Sequence, residues 1–276
     1  MPSVLVTGAG RGIGRSTALR LAERGWTVHA GVRRLADGQA LKEEAGGGIE
    51  PVELDITDAQ QVAALPHAFG GRLGALVNNA GTVVSGPVEA VALDEVREQL
   101  ELNVVAQVGV TQAVLPLLRE SRGRIVFISS VSGRVATPFT GIYNASKFAL
   151  EGLADALRME LREWGIRVAL VEPGSIDTDI WRRAQETADE AEARMRPEHR
   201  GLYADQIASM RKTVARVQKQ TSPPEKVAAV VERALTSTRP RARYLVGPDA
   251  RVQAALRAAL PTPAFDAAIT RLTNRS

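Results

Sequence analysis

The chain has 276 residues, of which 45% are hydrophobic and 24% charged, proportions typical of globular proteins and unlike those of disordered or collagen-like chains. The absence of cysteine excludes disulfides, thiolate metal sites and cysteine nucleophiles. The formal net charge of +4 is small, and aromatic residues make up only 4% of the chain, so the stacking platforms of single-strand nucleic-acid binders are missing. We expect a solvated basic surface and no nucleic-acid partner.

Short β-branched runs alternate with helical patterns along the chain, which is typical of strand–helix–strand units that form a parallel sheet. The predicted strands are residues 3–7, 26–32, 50–54, 75–78, 124–129, 167–171 and 243–246. The predicted helices between them are residues 12–24, 58–69, 93–118, 143–164 and 224–235. The pattern predicts an α/β domain over residues 1–276, with seven strands in one doubly wound parallel sheet and helices on both faces.

The segment from 179 to 220 interrupts this rhythm, since it has no strand pattern and is rich in Arg, Glu, Gln, Ala and Met. We expect inserted helices that form a lid over residues 179–222. Its larger apolar side chains suit either a substrate-facing surface or plain helix packing. They are Trp181, Met195, Leu202, Tyr203, Ile207 and Met210.

Amphipathic helices are predicted at residues 250–260 and 265–272, within a C-terminal segment of residues 250–276. Their apolar stripe would pack on the body of the protein or on a partner subunit, or would lie on a membrane surface. The stripe consists of Leu256, Leu260, Phe265, Ile269 and Leu272.

The predicted first strand begins at residue 3, which leaves too little chain before it for a signal peptide. No run approaches the roughly 18 uninterrupted apolar residues that a spanning helix needs. We therefore expect a cytoplasmic protein with no integral membrane segment.

A glycine-rich turn, Thr7-Gly8-Ala9-Gly10-Arg11-Gly12-Ile13-Gly14, follows the first predicted strand and begins the first helix. Glycines let a backbone turn tightly and approach a pyrophosphate, and the amide N–H groups of the helix N-terminus bind anions. A tight strand-to-helix turn without a ligand has the same pattern. The turn by itself leaves both interpretations open.

Four further motifs lie at or just after the ends of predicted strands, the edge at which open α/β sheets bind ligands. They are Asn78-Asn79-Ala80-Gly81, Ser129-Ser130, Tyr143-Asn144-Ala145-Ser146-Lys147 and Pro173-Gly174. With the glycine turn, and with Ser130 thirteen residues before Tyr143, they resemble the short-chain dehydrogenase/reductase family over residues 3–246. The resemblance implies a single-domain Rossmann fold, a nicotinamide cofactor and an oxidoreductase that acts on alcohols or carbonyls.

Tyr143 and Lys147 lie four residues apart and so share one helix face. A phenol titrates near ~10, and a nearby ammonium would favour the phenolate and bring the pKa of Tyr143 toward neutrality. By resemblance, Tyr143 is the acid/base and Lys147 also holds the nicotinamide ribose. Ser130 would donate a hydrogen bond to the substrate oxygen. Asn103 resembles the asparagine that distorts its helix and holds a water relaying protons to the lysine.

The choice of cofactor depends on the end of the second strand, where an acid binds the ribose 2′-hydroxyl and a basic residue binds a 2′-phosphate. Here the chain has Val32-Arg33-Arg34, and Arg11 in the glycine turn adds a cation, so we expect NADP(H) rather than NAD. The resemblance assigns further cofactor contacts to Gly8, Gly12, Ile13, Gly14, Asp55, Ile56, Asn79, Ala80, Gly81, Pro173, Gly174, Ile176 and Thr178.

These features predict NADP(H)-dependent hydride transfer between an alcohol and its carbonyl, with a small lipophilic substrate. The residues at 31–33 and 171–174 resemble those of the family branches that act on retinol and steroids. A reductase of 3-oxoacyl groups on a carrier protein is one alternative, and a non-catalytic NADP(H)-sensing protein is another. The three histidines, His29, His67 and His199, are scattered, so we expect no metal. We expect a homodimer or homotetramer.

Overall fold

The computed structural model describes residues 2–274, with side chains described up to residue 271. Within this range seven parallel strands form one sheet in the order β3-β2-β1-β4-β5-β6-β7. The strands are β1 (Ser3–Thr7), β2 (Thr27–Val32), β3 (Ile49–Glu53), β4 (Ala75–Asn78), β5 (Arg124–Ile128), β6 (Arg167–Pro173) and β7 (Arg243–Val246). The predicted seven-stranded parallel sheet is confirmed.

The order of the strands reverses between β1 and β4, which pair in parallel with Val6 opposite Val77. At such a reversal the helices that follow the two strands lie on opposite faces, and a crevice opens at the carboxyl ends of the strands. The sheet topology therefore places the glycine turn after β1 beside the Asn-Ala-Gly segment after β4.

Helices cover both faces of the sheet and form a separate hydrophobic core with each face. Val4 and Val6 point into one core with Leu21 and Val231, whereas Leu5 points into the other with Val110 and Leu150. The helices are α1 (Gly12–Glu23), α2 (Leu35–Ala45), α3 (Ala59–Ala68), α4 (Leu93–Leu100), α5 (Ala106–Ser121), α6 (Gly141–Glu160), α7 (Asp179–Arg182), α8 (Ala184–Arg194), α9 (Pro197–Gln218), α10 (Pro224–Thr236), α11 (Pro248–Ala259) and α12 (Thr262–Asn274). The inner strands β1, β2, β4, β5 and β6 are buried on both faces over most of their length, so each reads as an almost continuous apolar run.

Helix α2 was not predicted, because its sequence shows no clear apolar period. Only Gly38 and Leu41 are buried in it. A Cβ atom on Gly38 would lie 2.7 Å from Cβ of Pro51, so the helix packs directly on β3 through a glycine. Contact of this kind leaves little hydrophobic pattern in the sequence.

The continuous helix predicted at residues 93–118 is divided into α4 and α5 by a π-helical turn, Glu101–Val105. Pro116 lies inside α5, and the helix continues past it to Ser121. Single π-helical turns are frequent at functional sites. Here the turn contains Asn103, which is completely buried.

The same stretch, Leu93–Ser121, is long and apolar enough to cross a membrane by length and composition alone, and 33% of the 18-residue window that meets this criterion is buried. Its buried residues include Val110 and Val114, which pack in the core beneath the sheet. The absence of a spanning segment stays a prediction.

The inserted segment after β6 forms the helices α7, α8 and α9, and its role as a substrate lid stays a prediction. Met195 and Ile207 are buried there, whereas Leu202 is 72% exposed. The C-terminal helices bury Phe265 against Val131, with Leu260 and Ile269 partly buried beside it. Packing on the body therefore accounts for most of the predicted apolar stripe; the side chain of Leu272 lies outside the described residues.

Candidate active site

The glycine turn after β1 has the backbone that a phosphate-binding loop requires. Gly8 and Gly12 have φ of 64° and 54°, in the left-handed region that glycine adopts without strain. A Cβ on Gly14 would overlap the carbonyl oxygen of Gly8. Among the described residues Arg11, at the N-cap, makes no side-chain capping bond to α1, so the first N–H groups of the helix are available to an anion. The turn fits a dinucleotide phosphate.

The segment after β4 is tied to this turn by hydrogen bonds. The Asn79 side-chain amide donates to the carbonyl oxygens of Thr7 and Gly8 at 2.9 and 3.2 Å. The Thr7 hydroxyl accepts from the backbone N–H groups of Asn79 and Ala80 at 3.0 and 3.1 Å. Thr7 was not predicted as a site residue, although its place directly before Gly8 is a sequence signal that could have found it. Asn79 acts here by fixing the turn.

The loop after β6 forms the opposite wall of the crevice. A Cβ on Gly12 would lie 3.2 Å from the methyl carbon of Thr178, so this loop and the glycine turn face each other closely. Ile176, in contrast, is buried in the core of the sheet and bridges to Ser222. Its side chain is occupied by packing, and its predicted contact with a cofactor would have to be made by its backbone.

Tyr143 lies in the first turn of α6, half-buried, with its phenol close to the hydroxyl of Ser130. Burial raises the pKa of Tyr143 above its usual value, and the interaction with the Ser130 hydroxyl opposes the rise. We expected a lowered pKa, and that expectation was wrong for the protein without ligand. The reason is geometric, since the Lys147 ammonium lies 5.7 Å from the centroid of the tyrosine ring and donates to the carbonyl oxygen of Ile128 at 2.9 Å.

Lys147 is buried one turn after Tyr143. Burial lowers the pKa of Lys147 to about 8, against the attraction of Glu151. Glu151 in turn accepts a hydrogen bond from the Ser129 hydroxyl at 2.7 Å and pairs with Arg243 at 2.9 Å. The lysine therefore titrates near the physiological range, close to a carboxylate that is itself held in place.

Asn103 connects the π-helical turn to α6. Its side chain accepts from the N–H of Thr82 at 2.9 Å and donates to the Thr82 carbonyl at 3.0 Å. It also donates to the Ser146 hydroxyl at 3.1 Å, and Ser146 donates to the carbonyl oxygen of Tyr143 at 2.7 Å. A Cβ on Gly81 would lie 3.1 Å from the Asn103 side-chain oxygen. The structure thus brings Asn103 beside Tyr143; its role in a proton relay stays a prediction.

Comparison with known proteins adds the family. A model described as short chain dehydrogenase matches residues 2–189 of the chain. The protein belongs to the short-chain dehydrogenase family. It is therefore an oxidoreductase, as the motifs predicted.

Three named relatives of this short-chain dehydrogenase are similar over most of its length. Retinol dehydrogenase 5 of Mus musculus is 35% identical, over 99% of this chain and 89% of its own. The NADPH-dependent 3-dehydrocapnine reductase of Ornithobacterium rhinotracheale is 34% identical, over 90% and 89%. The 17-beta-hydroxysteroid dehydrogenase type 6 of Bos taurus is 32% identical, over 97% and 87%. The predicted likeness to the retinol- and steroid-acting branch is confirmed.

A solved structure of a short chain dehydrogenase from Burkholderia cenocepacia J2315, in complex with NADP, has the same fold. It superposes with a TM-score of 0.76 at 28% identity, over 97% of each chain.

The basic residues of the dehydrogenase that were predicted to bind a 2′-phosphate differ in their surroundings. Arg34 makes two hydrogen bonds to Asp37, at 3.0 and 2.7 Å. Arg33 is exposed, and Arg11 lies 3.8 Å from the carboxylate of Asp179. Asp37 was not predicted as part of this region. Arg34 is thus already held by a carboxylate, which leaves Arg33 and Arg11 as the cations better placed to meet a ligand.

The two residues predicted after β3 are part of a local turn. The carboxylate of Asp55 accepts from the backbone N–H and hydroxyl of Thr57 at 3.0 and 2.7 Å. These bonds lower the pKa of Asp55, with a small contribution from Arg33. Ile56 is buried. Cofactor contact by either residue stays a prediction.

A cavity of about 400 Å³ lies between the lid and the segment before α4. Its wall includes Met195 and Gly86, and the N–H of Gly86 donates to the carbonyl oxygen of Phe139 at 2.8 Å, in the loop before α6. The lining includes neither Ser130 nor Tyr143. The cavity therefore borders the site without containing its reactive groups.

Within the described part of the chain, no cluster of three or more His, Asp or Glu side chains is arranged to hold a metal ion. His29 is buried against Phe69 and lies 3.2 Å from Glu50, and burial lowers its pKa. His199 is buried beside Arg196. Both have packing roles.

Proposed function

We propose that this dehydrogenase interconverts an alcohol and its carbonyl with NADP(H), and that Tyr143 is the acid/base. The observation that carries the proposal is the convergence of Ser130, Tyr143 and Lys147 on the crevice between the glycine turn and the loop after β6. A protein that only sensed the cofactor would need the glycine turn alone.

The cofactor would supply or accept the hydride. The glycine turn and the N-terminus of α1 would hold its pyrophosphate, and Arg11 and Arg33 would bind its 2′-phosphate. Lys147 would hold the nicotinamide ribose. The 3-dehydrocapnine reductase is named as NADPH-dependent and the Burkholderia structure contains NADP, which supports NADP(H) here.

In the direction of reduction, the substrate carbonyl oxygen accepts hydrogen bonds from Ser130 and from the phenol of Tyr143. Negative charge grows on this oxygen as hydride reaches the carbon, and Tyr143 transfers its proton to the oxygen. The raised pKa of Tyr143 keeps the phenol protonated at neutral pH and so suits this direction. Lys147 stabilises the phenolate that results, until the proton is replaced. In oxidation each step runs in reverse.

The substrate we propose is lipophilic and of retinoid, steroid or long-chain type. Two relatives are named for retinol and a hydroxysteroid. The lid places Met195 on the cavity wall, and Phe139 packs edge to face on Tyr203 of α9 with ring centroids 6.2 Å apart. These apolar side chains lie between the inserted helices and the loop before α6, and they would suit a lipophilic molecule that reaches the crevice from this side.

The proposal is tested by NADPH oxidation with purified protein and a panel of retinal, steroid ketones, an acyl thioester and simple carbonyl compounds. Turnover should be greatest with a lipophilic carbonyl. Tyr143→Phe should lower kcat at least ~100-fold, because general acid catalysis is lost, while NADPH affinity measured by fluorescence changes by less than about threefold because the phenyl ring remains. Unchanged turnover in Tyr143→Phe would refute the role of the tyrosine.

A further inference from the structure

The loop after β6 is in direct contact with the first turn of α11, a helix close to the C-terminus. The carboxylate of Asp249 accepts the backbone N–H of Ser175 at 2.7 Å. Ala250, the next residue, is completely buried, so this turn is anchored in the body of the protein. Asp249 therefore fixes a loop that lies 74 residues earlier in the sequence.

Two glycines make room for this carboxylate. A Cβ on Gly174 would overlap both Asp249 oxygens, and a Cβ on Gly247 would lie 2.5 Å from one of them. Gly174 also donates its N–H to the carbonyl oxygen of Val246 at 2.9 Å, which extends the pairing of β6 with β7. The carboxylate is thus enclosed between the loop and the start of α11.

The same loop is held from its other side by the segment before α10. The N–H of Ser222 donates to the carbonyl oxygen of Ser175 at 2.9 Å, and the N–H of Asp177 donates to the carbonyl oxygen of Ser222 at 2.8 Å. Both the N–H and the carbonyl of Ser175 are therefore satisfied by distant parts of the chain. Thr178, three residues on, faces the glycine turn.

We propose that Asp249 is a positioning residue for the nicotinamide half of the cofactor. Its carboxylate holds the backbone of Gly174 and Ser175 in the conformation that lets this loop bind the nicotinamide amide. A loop ordered before binding loses less conformational entropy when the ligand arrives. The inference rests on the proposed function, because that function assigns the nicotinamide to this loop.

The structural alternative is that Asp249 stabilises only its own helix, since an acidic side chain in a first turn interacts favourably with the helix dipole. Two ligands separate the interpretations. NADPH contains both halves of the cofactor, whereas adenosine 2′,5′-bisphosphate keeps the adenine, ribose and 2′-phosphate and lacks the nicotinamide. Calorimetric titration of the full chain with each ligand measures how a substitution of Asp249 affects binding of the nicotinamide half and of the adenosine half of the cofactor.

Asp249→Ala should weaken NADPH binding at least ~10-fold, because the loop is no longer preordered, and leave the affinity for adenosine 2′,5′-bisphosphate within about twofold. Asp249→Asn should largely restore NADPH binding, since its amide oxygen can still accept the N–H of Ser175. Asp266→Ala, an exposed acid on α12, makes the same change in net charge and should alter neither affinity.

Equal weakening of both ligands, or of neither, in Asp249→Ala would overturn the inference while leaving the proposed function intact. Failure of the unmodified protein to bind NADPH would overturn both. If Asp249→Ala does not fold, Gly174→Ala tests the same contact, because its methyl group would displace the Asp249 carboxylate. It should show the same selective loss of NADPH affinity, and retention of full affinity would refute the proposal.

Discussion

Burial displaces the pKa values of both Tyr143 and Lys147 toward their uncharged forms in this structure. It raises the pKa of Tyr143 and lowers that of Lys147 to about 8. Desolvation disfavours the charged form of either side chain, and it outweighs the opposing interactions with Ser130 and Glu151. At neutral pH the phenol therefore holds its proton, while the ammonium is lost within a pH range that an enzyme assay reaches.

The first prediction at this scale concerns pH. Because the pKa of Lys147 is about 8, the ammonium is present below that pH and is lost as the pH rises through it. We expect kcat/KM for carbonyl reduction to fall above about pH 8, since kcat/KM reports groups of the free enzyme. A profile from pH 6 to 10 checks this. In Lys147→Met, kcat/KM should be much lower and should no longer fall at alkaline pH. A flat profile in the unmodified enzyme would contradict the assignment.

The second prediction compares two adjacent arginines. Arg33→Ala should lower kcat/KM with NADPH at least ~10-fold and change it little with NADH, because it removes a cation from the 2′-phosphate. Arg34→Ala is the matched control and should change either value less than about threefold, since Asp37 already holds its guanidinium. Steady-state kinetics with both cofactors measure the effect. If the unmodified enzyme used NADH as efficiently as NADPH, the preference for NADP(H) would be wrong.

At the scale of elements, β6, β7 and α6 are joined by ion pairs close to Lys147. Glu172, at the end of β6, is completely buried and lies 2.9 Å from Arg134 and 3.4 Å from Arg243. Arg243 also pairs with Glu151 and Asp155 of α6 at 2.9 and 2.6 Å. One arginine of the last strand thus connects the strand that carries the β6 loop to the helix that carries Lys147.

This arrangement predicts how stability depends on pH. Burial, with the charge of Glu151, raises the pKa of Glu172 from 4.5 to about 7, so the folded protein binds more protons than the unfolded chain between these values. The free energy of unfolding should then fall as the pH rises from about 4.5 to 7. Urea unfolding at pH 5 and pH 7.5 measures the decrease in the free energy of unfolding between the two pH values. This decrease should be at least ~1 kcal/mol larger in the unmodified protein than in Glu172→Gln, whose side chain cannot titrate. Equal slopes in the two proteins would refute the raised pKa.

For the whole molecule, the ends of neighbouring strands in one sheet supply four segments of the candidate site, and α6 supplies Tyr143 and Lys147. The glycine turn, the Asn-Ala-Gly segment, Ser130 and the β6 loop follow β1, β4, β5 and β6, four strands that are neighbours in the sheet. The helices also expose apolar side chains, among them Val105 and Phe148 at 55% and 46% exposure. We expect these two side chains to lie in a subunit contact.

We therefore expect a homodimer or homotetramer, measured by size-exclusion chromatography with light scattering. Phe148→Asp on α6 should shift the protein toward the monomer, because it places a charge in an apolar interface. Leu202→Asp on the lid, where the leucine is 72% exposed, is the matched control and should leave the mass unchanged. A monomeric unmodified protein would contradict this expectation.

Local patterns were enough to predict most of the architecture. The seven strands were predicted to within two residues at each end, because each is a short apolar run bounded by turn residues. The helices inserted after β6 and the C-terminal helices were predicted from the loss of the strand–helix rhythm. Helix α2 and the π-helical turn were missed, since one packs through a glycine and the other is a local change inside a long apolar helix.

The sequence by itself determined the fold and the family, and it singled out Ser130, Tyr143 and Lys147 as candidates, because these depend on spacing within one element or on motifs that follow strands. Only the tertiary structure decided the electrostatic state of the site. Burial, rather than the neighbouring lysine, sets the direction in which the pKa of Tyr143 shifts. Arg34 is already hydrogen-bonded to the carboxylate of Asp37. The contact of Asp249 with the β6 loop joins residues 74 positions apart. Such effects depend on which distant groups fold together, and sequence spacing carries no record of that.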